Sequence, residues 1–224
     1  MRRFALICAA LVFVSAATAV TARQAVQQSP QQVAAALQTK YDSVRDFTAD
    51  FSQQYESGIL RKKLTERGKL QIKKPGKMRW DYTAPDKKLF VSDGTSVYLW
   101  VPADNQVTVS TVPKEAEAAT AMQFLTGKGR LDRDFTVSFT SDPPAGTYGL
   151  RLDPKLADRD YDWLQLVVDR QSMQIRSLTA ADRQGGQSTF TFTNLKENVG
   201  LPDTTFTFKI PRGADVKDAG APTR

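Results

Sequence analysis

No histidine occurs among the 224 residues, and the single cysteine, Cys8, lies in an apolar run near the start of the chain. Without histidine, Ser-His-Asp and Cys-His nucleophilic sites are excluded, as are the common zinc constellations. A carboxylate pair or a Ser-Lys dyad stays open, but no spacing singles one out, so an enzyme is not the expectation. Long hydrophobic runs are missing too. The longest, residues 4–14, covers 11 positions, against roughly 20 needed to span a bilayer as a helix.

That run reads as part of a leader. Arg2-Arg3 form a basic n-region, the apolar stretch an h-region, and Ala17-Thr18-Ala19 or Val20-Thr21-Ala22 the cleavage site. Residues 1–22 are therefore expected to be a secretory signal peptide, leaving an exported, soluble chain without disulfide or thiol chemistry. Residues 23–29 read as a flexible start, 30–212 as one domain, and 213–224, small and polar, as a disordered tail.

Net charge is +7. The excess is concentrated between Arg61 and Lys88, where eleven Lys and Arg meet only Glu66, Asp81 and Asp86. Such a patch can dock an acidic partner or lipid head groups. Equally, it can be the solvated face of a sheet, because its basic residues alternate with apolar ones. Nucleic acid is not an expected partner, since no recognition motif is present.

Ser29, Pro30 and Gln32 make an N-cap, a proline at the first helical position and a capping box. Val33, Leu37, Tyr41 and Val44 then recur at helical spacing. From Phe47 the period falls to two. Phe47, Ala49 and Phe51 point one way, and on the next strand Leu64, Gly68, Leu70 and Ile72 do the same, with Gly68 marking a bend. Residues 70–102 are the densest stretch. Pro75-Gly76 makes a turn, Met78, Trp80 and Tyr82 share one face against Lys77, Arg79 and Asp81, and Ser92-Asp93-Gly94-Thr95 suits a hairpin between Phe90 and Val97. Residues 113–127 read as a short, weakly anchored helix ending at Gly127. Strands then resume, the last through Phe206, Phe208 and Ile210. Ten or eleven strands, three short helical segments and no βαβ rhythm fit one large, strongly curved antiparallel sheet that closes incompletely. A sandwich would match the strand count as well.

The ordered series Lys73-Lys74-Pro75, Arg79-Trp80-Asp81-Tyr82, Pro85 and Val91-Ser92-Asp93-Gly94 resembles the LolA family of periplasmic lipoprotein carriers. Phe206-Thr207-Phe208 with Pro211-Arg212-Gly213 resembles its closing strand. The similarity spans residues 30–216 and is weakest over 113–165. It implies a mainly β fold with a few short helices: a half-open β-barrel with helices as a lid over an apolar cavity.

The resemblance also implies a task. Such carriers hold the acyl chains of lipid-modified proteins, accept them from an inner-membrane ABC-type release complex and deliver them to an outer-membrane receptor lipoprotein. They bind no cofactor, nucleotide or metal, and a monomer is expected. The candidate acyl-binding residues are Phe51, Leu70, Ile72, Met78, Trp80, Tyr82, Phe90, Phe190 and Phe192, with Phe206 and Phe208 as further candidates for the lining. Aromatics at strand spacing can also be plain core. Met78 and Trp80 fall at family positions, Met78 at one that affects cargo release. Lys74 takes the place of a family basic residue, often Arg, that ties the lid. It keeps the charge but loses the planar fork of donors.

Two other readings remain. A carrier or sensor of a glycolipid or another hydrophobic ligand would use the same half-barrel. An interaction module docking an acidic protein through its basic strands would have no cavity. The receptor sibling is disfavoured, because Cys8 stands too early to be a lipidated first residue.

Overall fold

The computed structural model describes residues 28–58, 63–112, 125–127, 129–156 and 161–219. The expected leader, and most of the helix expected over 113–127, lie outside these residues.

The chain enters helix α1 (Pro30–Ser43) through the expected capping box: the Ser29 hydroxyl accepts from the Gln32 amide, and the Gln32 side chain accepts from the Ser29 amide. Six strands then follow as a meander: β1 (Asp46–Glu56), β2 (Lys63–Lys73), β3 (Lys77–Ala84), β4 (Lys88–Asp93), β5 (Ser96–Val101) and β6 (Gln106–Thr111). A one-turn helix α2 (Leu131–Asp134) leads into a second meander: β7 (Phe135–Phe139), β8 (Thr147–Pro154), β9 (Trp163–Asp169), β10 (Ile175–Ala181) and β11 (Gln187–Glu197). Strand β11 comes back beside β1, so both meanders fuse into one sheet. Its order is β12-β6-β5-β4-β3-β2-β1-β11-β10-β9-β8-β7, where β12 is Asp215–Asp218. The two end strands are not paired with each other, so the sheet is open.

Strand register sorts the side chains into two faces. On the inner face lie Phe47, Ala49 and Phe51 of β1, Leu70 and Ile72 of β2, Met78, Trp80 and Tyr82 of β3, and Phe90 of β4. Phe190 and Phe192 of β11 join them, opposite Gln53 and Phe51. Helix α1 lies across this face, packing on β7, β8 and α2. Its Val33, Leu37 and Tyr41 share one core with Leu150, Leu152, Leu164, Leu166 and Leu178. Gln38, buried on α1, accepts from the Leu131 amide and so pins α2.

Four expectations are corrected. Phe206 ends a 3₁₀ turn (Asp203–Phe206) instead of sitting in a strand, and Ile210 stands outside the sheet. Neither Phe206 nor Phe208 reaches the inner face. The segment from Gly200 to Ala214 crosses the outer face, where Phe206 packs on β3 and β4 and Phe208 meets Tyr98 at 5.3 Å. Its anchors are Asp203, paired with Lys73 at 2.7 Å and Lys77 at 3.1 Å, and the Thr205 carbonyl facing Arg79. A patterned pair of phenylalanines carries no label for which layer it fills. The tail beyond Gly213 is not disordered through Asp218: β12 runs parallel to β6, and the Asn105 side chain holds the Gly213 carbonyl. Only backbone pairing recruits that polar segment, which is why hydrophobic patterning missed it. Leu64, expected inward, is 49% exposed.

Gly68 is the tightest point of the wall. It pairs with Phe51 on one side and Tyr82 on the other. A Cβ there would lie 2.0 Å from the Asp81 carbonyl oxygen and 2.9 Å from the Phe51 ring. With no side chain between them, the Phe51 and Tyr82 rings meet over β2 at 5.0 Å. Gly68→Val is expected to lower stability by about 1–3 kcal/mol through overpacking, read as a reduced urea midpoint with unchanged slope.

Candidate functional site

The nine candidate lining residues divide by burial. Phe51, Leu70, Ile72, Trp80, Phe190 and Phe192 are buried in the core, whereas Met78, Tyr82 and Phe90 are half-buried against it. The buried set is built around Trp80. Its ring meets Phe51 edge-on at 4.8 Å and Phe190 edge-on at 5.3 Å, and stacks on Tyr82 at 6.5 Å. Edge-to-face contacts of this kind fix ring orientation and add to what burial alone contributes. Among the described residues, the void bounded by Tyr41, Phe47, Leu125, Ile175, Phe192, Leu195 and Glu197 measures about 10 Å³, room for one water and no hydrocarbon chain.

Accessible apolar surface instead continues sideways along the same face. Register places Leu99 opposite Phe90, and Val97 and Val101 two residues to either side. All three are half-buried. Their alternation with Tyr98 and Trp100 is an ordinary strand pattern that does not by itself mark them as lining. The Ser92–Thr95 hairpin was the available signal, because its register puts Leu99 against Phe90. That hairpin is well specified: Asp93 accepts from the Thr95 and Ser96 amides, both at 2.8 Å, and Gly94 takes a positive φ of 99°.

The ends of this wall differ. At one, the Tyr82 hydroxyl donates to Gln53 Oε1 at 3.1 Å, and Gln53 Nε2 donates to Ser188 Oγ. Lys88 Nζ sits 4.2 Å over the Tyr82 ring and 2.7 Å from Glu66. Burial first, and the Glu66 carboxylate second, raise the Tyr82 phenol well above its ordinary pKa, so it stays protonated. At the other end stands Lys74. Its ammonium donates to the Tyr41 carbonyl at the C-terminal end of α1 and lies 4.0 Å over the Tyr41 ring. Its stem packs on Gly127, where a Cβ would meet Lys74 Cδ at 2.7 Å, and the neighbouring Gly76 amide donates to the Thr126 carbonyl. Lys74 thus touches both the helix and the 125–127 turn, through one ammonium where an Arg would offer a fork.

Several basic side chains of the outer face are paired. Lys73 and Lys77 share Asp203, and Arg79 pairs with Asp81 at 2.8 Å. A mixed pocket of about 550 Å³ lies beside Lys73, Lys74, Arg45 and Asp42. Among the described residues, no group of three His, Cys, Asp or Glu side chains could hold a metal ion.

The family described as outer membrane lipoprotein carrier protein LolA matches residues 42–209. An outer-membrane lipoprotein carrier protein of Pseudomonas fluorescens is 32% identical over 169 residues, covering 75% of this chain and 80% of that protein. A second, from Pseudomonas syringae, is 28% identical over 200 residues, covering 89% and 95%. In fold, the chain is similar to an uncharacterized conserved protein from Thermus thermophilus, with a TM-score of 0.54 at 12% identity over 85% of this chain and 99% of that one.

Burial lowers the Lys74 pKa to about 8, with Asp42 and Glu197 partly opposing the shift. The unfolded chain, at about 10.5, therefore holds more protons between these two values, and the Lys74 contribution to stability rises with pH across that window and is flat below it. Tyr41 and Tyr82, whose phenols burial raises, oppose this only above about pH 10. Between pH 7.5 and 9.5, the denaturation midpoint of the native chain should rise relative to that of Lys74→Met. Parallel profiles would show an ammonium that is well solvated.

Proposed function

The chain belongs to the LolA family of outer membrane lipoprotein carrier proteins, and from that membership we propose that it is a periplasmic chaperone that binds the acyl chains of lipid-modified proteins. Residues 1–22 direct export. Cargo comes from an inner-membrane ABC-type release complex and passes to an outer-membrane receptor lipoprotein, with no cofactor and no catalysis.

One observation carries this reading: the apolar inner face is only half covered over β3, β4 and β5, at Met78, Tyr82, Phe90, Val97, Leu99 and Val101. A wall that served only as core would be buried, as Phe47, Ala49 and Phe51 of β1, Leu70 and Ile72 of β2, and Phe190 and Phe192 of β11 are on the same face. The half-covered strip is the surface that meets the acyl chains. Phe51, Leu70, Ile72, Trp80, Phe190 and Phe192 form the floor behind it, reached as the wall opens. Lys74 is the latch, because it ties α1 to the 125–127 turn and to the β2–β3 turn.

Magnitudes favour a wall of this kind. Each methylene buried contributes roughly 0.8 kcal/mol, so three chains with about 45 methylenes would exceed the practical affinity ceiling of about 20 kcal/mol. Two membranes compete for the same chains. Exchange therefore needs a site that is partly filled or costly to open. A latch with a single donor and a strip already half in water both meet that need.

The test is native mass spectrometry of the protein expressed as the full chain in a Gram-negative host and purified from the periplasm without detergent. Co-purifying triacylated lipoprotein is expected. Met78→Glu should reduce occupancy at least about tenfold, because the strip would then have to bury an unpaired carboxylate. Bound free lipid without protein would favour a carrier of another hydrophobic ligand. A clean apo mass that also refuses an acyl-chain probe would overturn the proposal.

A further inference from the structure

The indole Nε1 of Trp80 is a buried polar atom without a hydrogen-bond partner, the one such side-chain atom found among the described residues. Trp80 itself is 2% exposed. An indole can only donate, and a buried donor left unmade forfeits its hydration with nothing in return. The surroundings explain why the protein offers it nothing. The rings against it are Phe51, Phe190 and Tyr82, and the one acceptor-bearing group of these, the Tyr82 hydroxyl, donates to Gln53 and makes no hydrogen bond with the indole. Leu70 and Phe90 flank it in register, both apolar. For packing alone, Phe would fill this position without stranding a donor.

Resting on the carrier reading above, we infer that Trp80 is a specificity residue of the acyl-chain site, and that its Nε1–H donates to an acyl carbonyl oxygen of the bound lipid. Alkyl chains offer no acceptor. Ester and amide groups do, one at the head of each chain, so a site with one fixed donor in an otherwise apolar wall discriminates acyl-linked chains from hydrocarbon of the same length. Hydrocarbon burial supplies affinity without discrimination, whereas a lone donor in a dry site rejects a ligand that leaves it unpaired. The placement is consistent with this division. Trp80 lies between the half-covered strip and the buried floor, one ring away from the polar Tyr82–Gln53–Ser188 end, where the lipid head with its glycerol and peptide would find hydrogen-bonding partners.

The experiment compares two synthetic probes, a cysteinyl peptide carrying a dipalmitoyl-glyceryl group and its dihexadecyl ether analogue, each displacing an apolar dye from the full-length-expressed, periplasm-purified protein. The native chain should bind the ester probe about five- to tenfold more tightly, the size of one hydrogen bond's net contribution. Trp80→Phe keeps an aromatic ring and removes the donor. It should weaken the ester probe by a similar factor and leave the ether probe unchanged. In ¹⁵N-edited spectra, the indole N–H signal that Trp80→Phe removes should move downfield with the ester probe only. Equal affinity of the native chain for both probes, with an indole signal indifferent to the ester, would overturn the inference while leaving the carrier intact. Binding of neither probe would overturn both. Because the native-chain comparison needs no variant, misfolding of Trp80→Phe cannot rescue the inference.

Discussion

The pairing of β1 with β11 is the constraint on which the rest depends. Residues 47–56 and 187–197 are about 140 positions apart in sequence, yet their ladder alone joins the two meanders. Its open end is closed by backbone and charge together. Asp46 is buried, accepts from the Gly200 amide through its carboxylate and from the Asn198 amide through its carbonyl, while Asn198 accepts from the Arg45 amide. Lys40 of α1 pairs with Glu197 alongside. Closing so long a loop carries an entropic cost that few local contacts could meet. Two phenylalanines from each strand, Phe47 and Phe51 on one and Phe190 and Phe192 on the other, meet it by placing the centre of the core at the seam.

Once the seam is made, the sheet has two faces to cover, and the chain covers them unequally. Helix α1 seals the inner face over β7 and β8 and the strands beside them. The segment from Gly200 to Ala214 covers the outer face of β3 to β6, burying Phe206, Val91 and Val107 in a layer separate from the main core. The β12 strand that follows occupies the exposed edge of β6, which would otherwise offer a row of unpaired amides and carbonyls. This outer layer lets β3, β4 and β5 keep their shape without a fully packed inner face. The apolar strip can stay half open because the same strands are held from behind.

Much of this was legible in the residues. Period-two alternation located the strands, the Ser29 box the start of α1, and Gly94 the hairpin that sets the register of β4 and β5. Lys74-Pro75, Trp80 and the Val91–Gly94 run pointed to the family. What escaped was which layer a residue fills. Phe206 and Phe208 share the spacing of Phe190 and Phe192 but lie on the opposite face, since face is decided by the register of distant strands and by a 3₁₀ turn. Val97, Leu99 and Val101 went unnamed because their role follows from pairing with β4. β12 escaped because backbone hydrogen bonds to an edge leave no mark in a polar sequence.

The division of the inner face also reconciles two demands that pull against each other. A carrier must be stable when empty, and an apolar wall facing water adds little to stability. Here the buried contribution comes from β1, β2 and β7 to β11 with α1, where Leu70, Ile72, Leu150, Leu166 and Val168 are wholly inaccessible. Trp80 stands at the border, with its ring in the core and its N–H unpaired. To its one side the aromatic contacts are fixed by the missing side chain of Gly68. To the other lie Met78, whose flexible thioether adapts to irregular partners, and the branched side chains of β5. On the proposed assignment of the half-covered strip to cargo, stability and exchange fall to different strands of one sheet, so a single domain could hold its shape while its contents come and go.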